Sequence, residues 1–234
     1  MFPSYLSVSF INYLLLAFLF ASSVVYAGPK TNKTKQNKTV VCPTTKEYNV
    51  GDKGPYGWII YKKEAVSNQS CWQYIEAAPE DANELGKLVF WSKINKKIET
   101  FKEIGKGKEN TDMIVAQIKE GSAALKCKSY FPKEEDSEEK TKGEWFLPSF
   151  EELKLMYDVL VKDGKNKGNF IVKEQEYPVT KMDNEAVPTF APYYWSSYDV
   201  SSSKAYFVEF ETGDSLWNGA DKVTLQNIRC ARYF

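Results

Sequence analysis

The sequence predicts an α+β domain, and three observations carry that reading. Two strand-like segments come early, helical patterns occupy the middle, and the last third is a run of short, aromatic, alternating stretches. Segregated strands and helices of this kind indicate antiparallel sheets, not a βαβ arrangement.

Taken in order, "GPYGWIIYKK" reads as a turn followed by a strand at Trp58 to Tyr61. "CWQYIEAAP" reads as a second strand, ended by Pro79. Asn110 to Lys126 carries apolar residues at Met113, Ile114, Ala116, Ile118, Ala124 and Leu125, an irregular helical stripe weakened by Gly121. Its lead, "GKGKEN" from Gly105 to Asn110, lacks the later residues of a P-loop or dinucleotide fingerprint and reads as flexible. A better-marked helix starts at Ser149, with Glu152 three residues on completing a capping box, so Ser149 reads as a cap and not a nucleophile. Phe150, Leu153, Met156, Tyr157 and Leu160 line one face of it, and Asp163-Gly164 ends it. The polar stretch Asp163 to Tyr193 is either a functional loop or a flexible excursion. "YWSSY", "KAYFVEF", "SLW" and "NIRCARYF" then read as antiparallel strands.

Composition narrows the function. The 234 residues balance 31 basic against 31 acidic side chains, which removes a global field for nucleic acid. Histidine is absent, and with it Ser-His-Asp or Cys-His nucleophiles, His-ligated zinc and any imidazole switch. Adjacent acids at Glu134, Glu135 and Asp136, and at Glu138 and Glu139, have the residue types of a glycosidase pair, but their hydrophilic run reads as a solvated loop. We expect no enzyme activity, no metal and no cofactor.

Residues 1–27 read as a targeting segment. Phe10 to Val25 is apolar apart from Asn12, Ser22 and Ser23, and Val25-Tyr26-Ala27 supplies small residues for cleavage after Ala27. No Lys or Arg precedes the run. Tyr5 to Ala27 is long enough to span a bilayer, but the small-residue ending favours cleavage over an uncleaved anchor; only the anchor would place the chain in a membrane. The expected location is secreted or at the cell surface. Residues 28–47 form a basic tail with Lys30, Lys33, Lys35, Lys38 and Lys46 and too little apolar surface to offset ordering entropy. The globular domain is expected over residues 48–234. Cys42, Cys71, Cys127 and Cys230 are an even set for an oxidising compartment, without a C-x-x-C pair, and spacing leaves all three connectivities open.

The segments "VGDKGPYGWIIYKK", "CWQYIEAAPEDA", "IGKGKENT", "GEWFLPSFEELKLMY", "YWSSY" and "NIRCARYF" occur in the order seen in the Lcl C-terminal domain family, which the chain resembles from Tyr48 to Phe234. That family is named for the C-terminal domain of the Legionella collagen-like protein. The resemblance implies a variant of the C-type-lectin fold, with two helices, two small antiparallel sheets and chain ends brought together. It implies bridges Cys127–Cys230 and Cys42–Cys71, a trimeric homo-oligomer, and a surface adhesin that binds sulfated glycosaminoglycan. Calcium-dependent sugar binding is not expected. In "LWNGADKVTLQNIRC" Gly219 stands where the lectin pattern has a carboxylate, and Trp217 and Asn218 read as a packed strand aromatic and a turn residue.

Local charge gives the candidate binding residues. From Lys87 to Lys108 seven lysines face two glutamates, a balance of +5. Lys93, Lys96, Lys97, Lys102, Lys106 and Lys108 are the expected ligands of an acidic polysaccharide, through salt-sensitive contacts. The alternative is a structural or assembly protein of the envelope that binds protein through its aromatic face.

Overall fold

The computed structural model describes residues 46–64, 71–83, 87–133, 136–173, 175–176, 189–190 and 192–234, all within the unit Thr39–Phe234. The targeting segment, nearly all of the basic tail, Cys42, Glu134 and Glu135 lie outside the described residues.

The chain is mixed α+β. β1 (Trp58–Lys62) and β2 (Tyr74–Ala77) pair antiparallel, and β10 (Ala231–Tyr233) joins the other side of β2. β2 is the central strand, with both edges paired, and its four side chains are buried, Ile75 and Ala77 in an apolar cluster and Glu76 against Arg232. A second three-stranded antiparallel sheet runs in the order β6 (Tyr193–Asp199), β7 (Lys204–Glu209), β8 (Ala220–Asp221). Two-residue pairs β3 (Val89–Phe90) with β9 (Leu225–Gln226), and β4 (Gln175–Glu176) with β5 (Thr189–Phe190), complete the strands.

Among the described residues four helices replace the two expected, namely α1 (Gly107–Gln117), α2 (Ala123–Lys128), α3 (Ser137–Thr141) and α4 (Phe150–Leu160). The single stripe expected over Asn110 to Lys126 is broken. Gly121 takes φ +62°, and Ser122 starts a new helix by accepting from the Leu125 amide at 3.2 Å. The lead expected to be flexible supplies the first turn of α1. The acidic stretch expected to be a loop contains α3, where the buried Thr141 hydroxyl donates to the Ser137 carbonyl at 2.6 Å. α4 is as predicted, with both arms of its capping box formed. "SLW" forms no strand. Trp217 sits in a turn with 85% of its surface exposed, which corrects the packed aromatic expected there. Asn218 shares the turn, and Gly219 follows at φ +67°, where a Cβ would come within 2.4 Å of the Ala205 carbonyl oxygen.

Two apolar clusters hold the elements. One packs Trp91, Ile98, Ile114, Ile118, Trp145 and Trp195 around the disulfide joining Cys127 of α2 to Cys230. The other packs Leu153, Met156 and Leu160 of α4 against Ile60, Ile75, Tyr194, Val208 and Phe210. Cys71 is also disulfide-bonded, while its expected partner Cys42 is outside the described residues.

Candidate functional site

The lysine-rich segment leaves β3 and reaches α1 with no regular structure between Trp91 and Ile104. Its backbone is nonetheless fixed by one buried ion pair. The Lys222 ammonium meets the Asp199 carboxylate at 2.9 Å, with both side chains 0% exposed. Lys222 Nζ also donates to the Lys96 carbonyl at 2.7 Å, and Asp199 Oδ2 accepts from the Ile98 amide at 2.7 Å. The Asp199 amide donates to Thr100 Oγ1 at 2.7 Å, and the Ser92 amide donates to the Lys222 carbonyl at 3.2 Å. Trp91 lies beneath, its ring centre 4.5 Å from Lys222 Nζ and its indole N–H donating to the Ser196 carbonyl at 2.8 Å. Burial pushes the Asp199 carboxyl up and the Lys222 ammonium down, and the contact between them opposes both shifts.

The six predicted lysines divide on this scaffold. Lys93, Lys96, Lys97 and Lys102 are exposed on the fixed segment. Lys93 Nζ lies 5.0 Å from the Phe90 ring centre, and Lys97 Nζ donates to the Asp199 carbonyl at 2.7 Å. Lys106 and Lys108 are half-buried and carry their own counter-charges, Glu109 at 2.7 Å and Glu144 at 2.6 Å. Four of the six are therefore exposed on one segment, and two are in local ion pairs.

Aromatic side chains border the same segment. The Lys102 carbonyl accepts from the Glu151 amide at 3.0 Å, which sets Lys102 beside Phe150 at the start of α4. Phe150 contacts Tyr206 with ring centres 5.1 Å apart, and Tyr206 stacks on Tyr198 at 5.2 Å and 12°. Tyr198 immediately precedes Asp199, the residue whose carbonyl holds Lys97. The Tyr206 hydroxyl donates to the Trp217 carbonyl at 2.6 Å. Tyr198 and Tyr206 are half-buried, while Trp217 and Leu216 stand out at 85% and 57% exposure.

A cavity of about 550 Å³ opens elsewhere, lined by Glu80, Asp81, Lys126, Tyr130, Phe131 and Asn169 among others. The carboxylate of Asp81 in its lining is already partnered. Arg229 donates through Nε to Asp81 at 2.7 Å and through one terminal nitrogen to the Ala78 and Gly168 carbonyls at 3.0 and 2.9 Å. Asp81 also accepts from the Tyr194 hydroxyl at 3.0 Å, which in turn accepts from the Ile171 amide at 2.8 Å. Burial pushes the Asp81 carboxyl up against the pull of Arg229, and burial, then the Asp81 charge, raises the Tyr194 hydroxyl. This network ties the 168–171 segment to β6 and to the residues that follow β2; it is scaffolding.

Asp199 and Lys222 escaped the sequence reading. Lys222 in "GADKVTL" has the pattern of a solvated turn lysine, and nothing local marks it as buried. Among the described residues, no group of three or more acidic or cysteine side chains could hold a metal ion, and no helix is long and apolar enough to cross a membrane. No protein-family model and no curated protein matches the chain.

Proposed function

We propose that the chain is an exported, non-enzymatic binding module that recognises acidic polysaccharide through Lys93, Lys96, Lys97 and Lys102. The observation that carries this reading is the buried Asp199–Lys222 pair, which holds an otherwise irregular exposed lysine segment in one conformation. Preorganising several point charges lowers the ordering cost of meeting a polyanion. Lysine ammoniums bind sulfate or carboxylate singly, so affinity comes from several acting together and falls as salt rises.

The C-type-lectin-like reading of the fold belongs to the same proposal. Its support is the return of β10 to the sheet of β1 and β2, and the bridge from α2 to Cys230 just before that strand. Assembly as a trimer and cleavage after Ala27 accompany it. A second reading, an envelope component that docks protein, is favoured by the exposure of Leu216 and Trp217.

Retention on immobilised heparin across a salt gradient tests the first reading. The triple change Lys93→Glu, Lys96→Glu, Lys97→Glu is expected to abolish retention with little effect on the thermal transition, because exposed charges contribute about 0–1 kcal/mol each. Elution of parent and triple variant at the same salt would overturn it.

A further inference from the structure

We infer that the aromatic surface formed by Tyr198, Tyr206 and Trp217 is the ring-stacking part of the site, receiving hexose rings whose acidic substituents lie toward Lys97 and Lys102. This inference rests on the polysaccharide reading above and adds to it a place and a chemistry for the sugar itself. Five contacts connect the surface with the lysine segment. Lys97 is held on the Asp199 carbonyl, next in sequence to Tyr198. Tyr198 is stacked on Tyr206 at 12°, and the Tyr206 hydroxyl donates to the Trp217 backbone carbonyl, which sets the Trp217 turn beside the tyrosine pair. Phe150, in contact with Tyr206, adjoins Lys102 through the Glu151 amide. Lysines therefore border the aromatic side chains, with the Lys97 ammonium and the Tyr206 hydroxyl held by hydrogen bonds, Lys102 tied through its backbone carbonyl, and Tyr198 and Phe150 set by ring contacts.

The chemistry selects the occupant. An aromatic face is negative and attracts weakly polarised C–H groups, which a hexose presents on one face of its ring. The opposite requirement, a partner for ammonium groups, is met by sulfate or carboxylate on the same chain. A purely apolar partner would leave the bordering lysines without counter-charges, and a polyanion without rings would leave the aromatic row unused. Trp217 has a further mark of a contact residue. It stands 85% exposed in a turn whose backbone is tied by the Tyr206 hydroxyl and by the close approach of Gly219 to Ala205, so a large aromatic side chain is presented from an anchored backbone.

The test compares two polyanions against the full-length protein, a heparin-derived hexasaccharide and inorganic polyphosphate of similar charge. Trp217→Ala and Tyr198→Ala are expected to weaken hexasaccharide binding roughly three- to tenfold each while leaving polyphosphate binding unchanged. Trp217 is exposed enough that its removal leaves the fold intact, and a thermal melt of each variant checks this. Equal losses for both polyanions, or no loss for either, would overturn the stacking surface. If Trp217→Ala changes the oligomeric state and not sugar affinity, the surface is a protein interface and the inference is wrong. Should the lysine triple variant lose the hexasaccharide while both aromatic variants keep it, the polysaccharide reading stands and only the stacking surface falls. Failure of the parent to bind either polyanion removes both.

Discussion

Asp199 at the end of β6 and Lys222 just beyond β8 form an ion pair 23 residues apart in sequence and fully enclosed, and together they bond to the backbone of Lys96 and Ile98. A buried charge is costly alone, and here each cancels the other while doing the work of a missing strand partner. The irregular segment between β3 and α1 thus borrows its rigidity from the second sheet.

Removing one member should therefore cost more than removing both. Lys222→Met is expected to destabilise the domain by about 3–5 kcal/mol by stranding Asp199, and pairing it with Asp199→Leu should recover part of the loss. Denaturant unfolding of the two single variants and the double variant measures the coupling. Additive losses would show that the pair does not act as a unit. Amide exchange at Ile98 should accelerate in both single variants, since its bond ends on Asp199.

The disulfide predicts a second loss. Cys127 and Cys230 are 103 residues apart, so the bridge removes a large amount of unfolded-chain freedom. In the chain-entropy model a loop of about 100 residues is worth about 4.7 kcal/mol, and native bridges usually contribute about 2–5. Cys127→Ala with Cys230→Ala should lower stability within that range, read by chemical denaturation. A change below about 1 kcal/mol would mean that the surrounding cluster of tryptophans holds α2 in place without the bridge.

Glu152 gives a pH signature. Its buried carboxylate accepts from the Gly105 and Ser149 amides at 2.8 Å each and from the Tyr233 hydroxyl, and burial outweighs these bonds and raises its affinity for a proton. Between the ordinary glutamate value of about 4.3 and the raised folded value, the native state holds more protons than the unfolded state. The stability contributed by this group is then fully present below the ordinary value and is lost as pH rises through the folded value. The thermal midpoint of the parent minus that of Glu152→Gln should fall with rising pH across this window, because glutamine cannot titrate. A difference that rises with pH would refute the raised affinity.

Features legible in the sequence were those written in neighbouring residues. The capping box of α4 needs only Ser149 and Glu152, and β6 and β7 announce themselves through adjacent aromatic residues. What was missed depends on distant partners. Arg229 and Arg232 look like polar interruptions of a strand, yet they are enclosed because Asp81 and Glu76, 148 and 156 residues away, accept their bonds. The helix break at Gly121 was visible only as weakness, since a glycine permits φ +62° without requiring it. In the candidate site, charge alone grouped six lysines, whereas Glu109 and Glu144 claim two of them; Glu144 is 36 residues from Lys108 and could not have been assigned. Trp217 was misread because an aromatic between leucine and asparagine looks the same whether it packs inward or stands in a turn.

The return of β10 to β2 sets the order in which the chain can assemble. Tyr74 and Gln73 bond to the Phe234 backbone, Phe146 exchanges both backbone bonds with Ala231, and Tyr48 rests its ring on Phe234. None of these contacts exists until residues 230–234 have been delivered, so the third strand of the first sheet and the Cys127–Cys230 bridge wait for the same five residues, whereas β1 can pair with β2 without them. The β1–β2 pair would therefore keep one edge of β2 open until the last residues of the chain arrived to cover it, a long-range closure that slows folding.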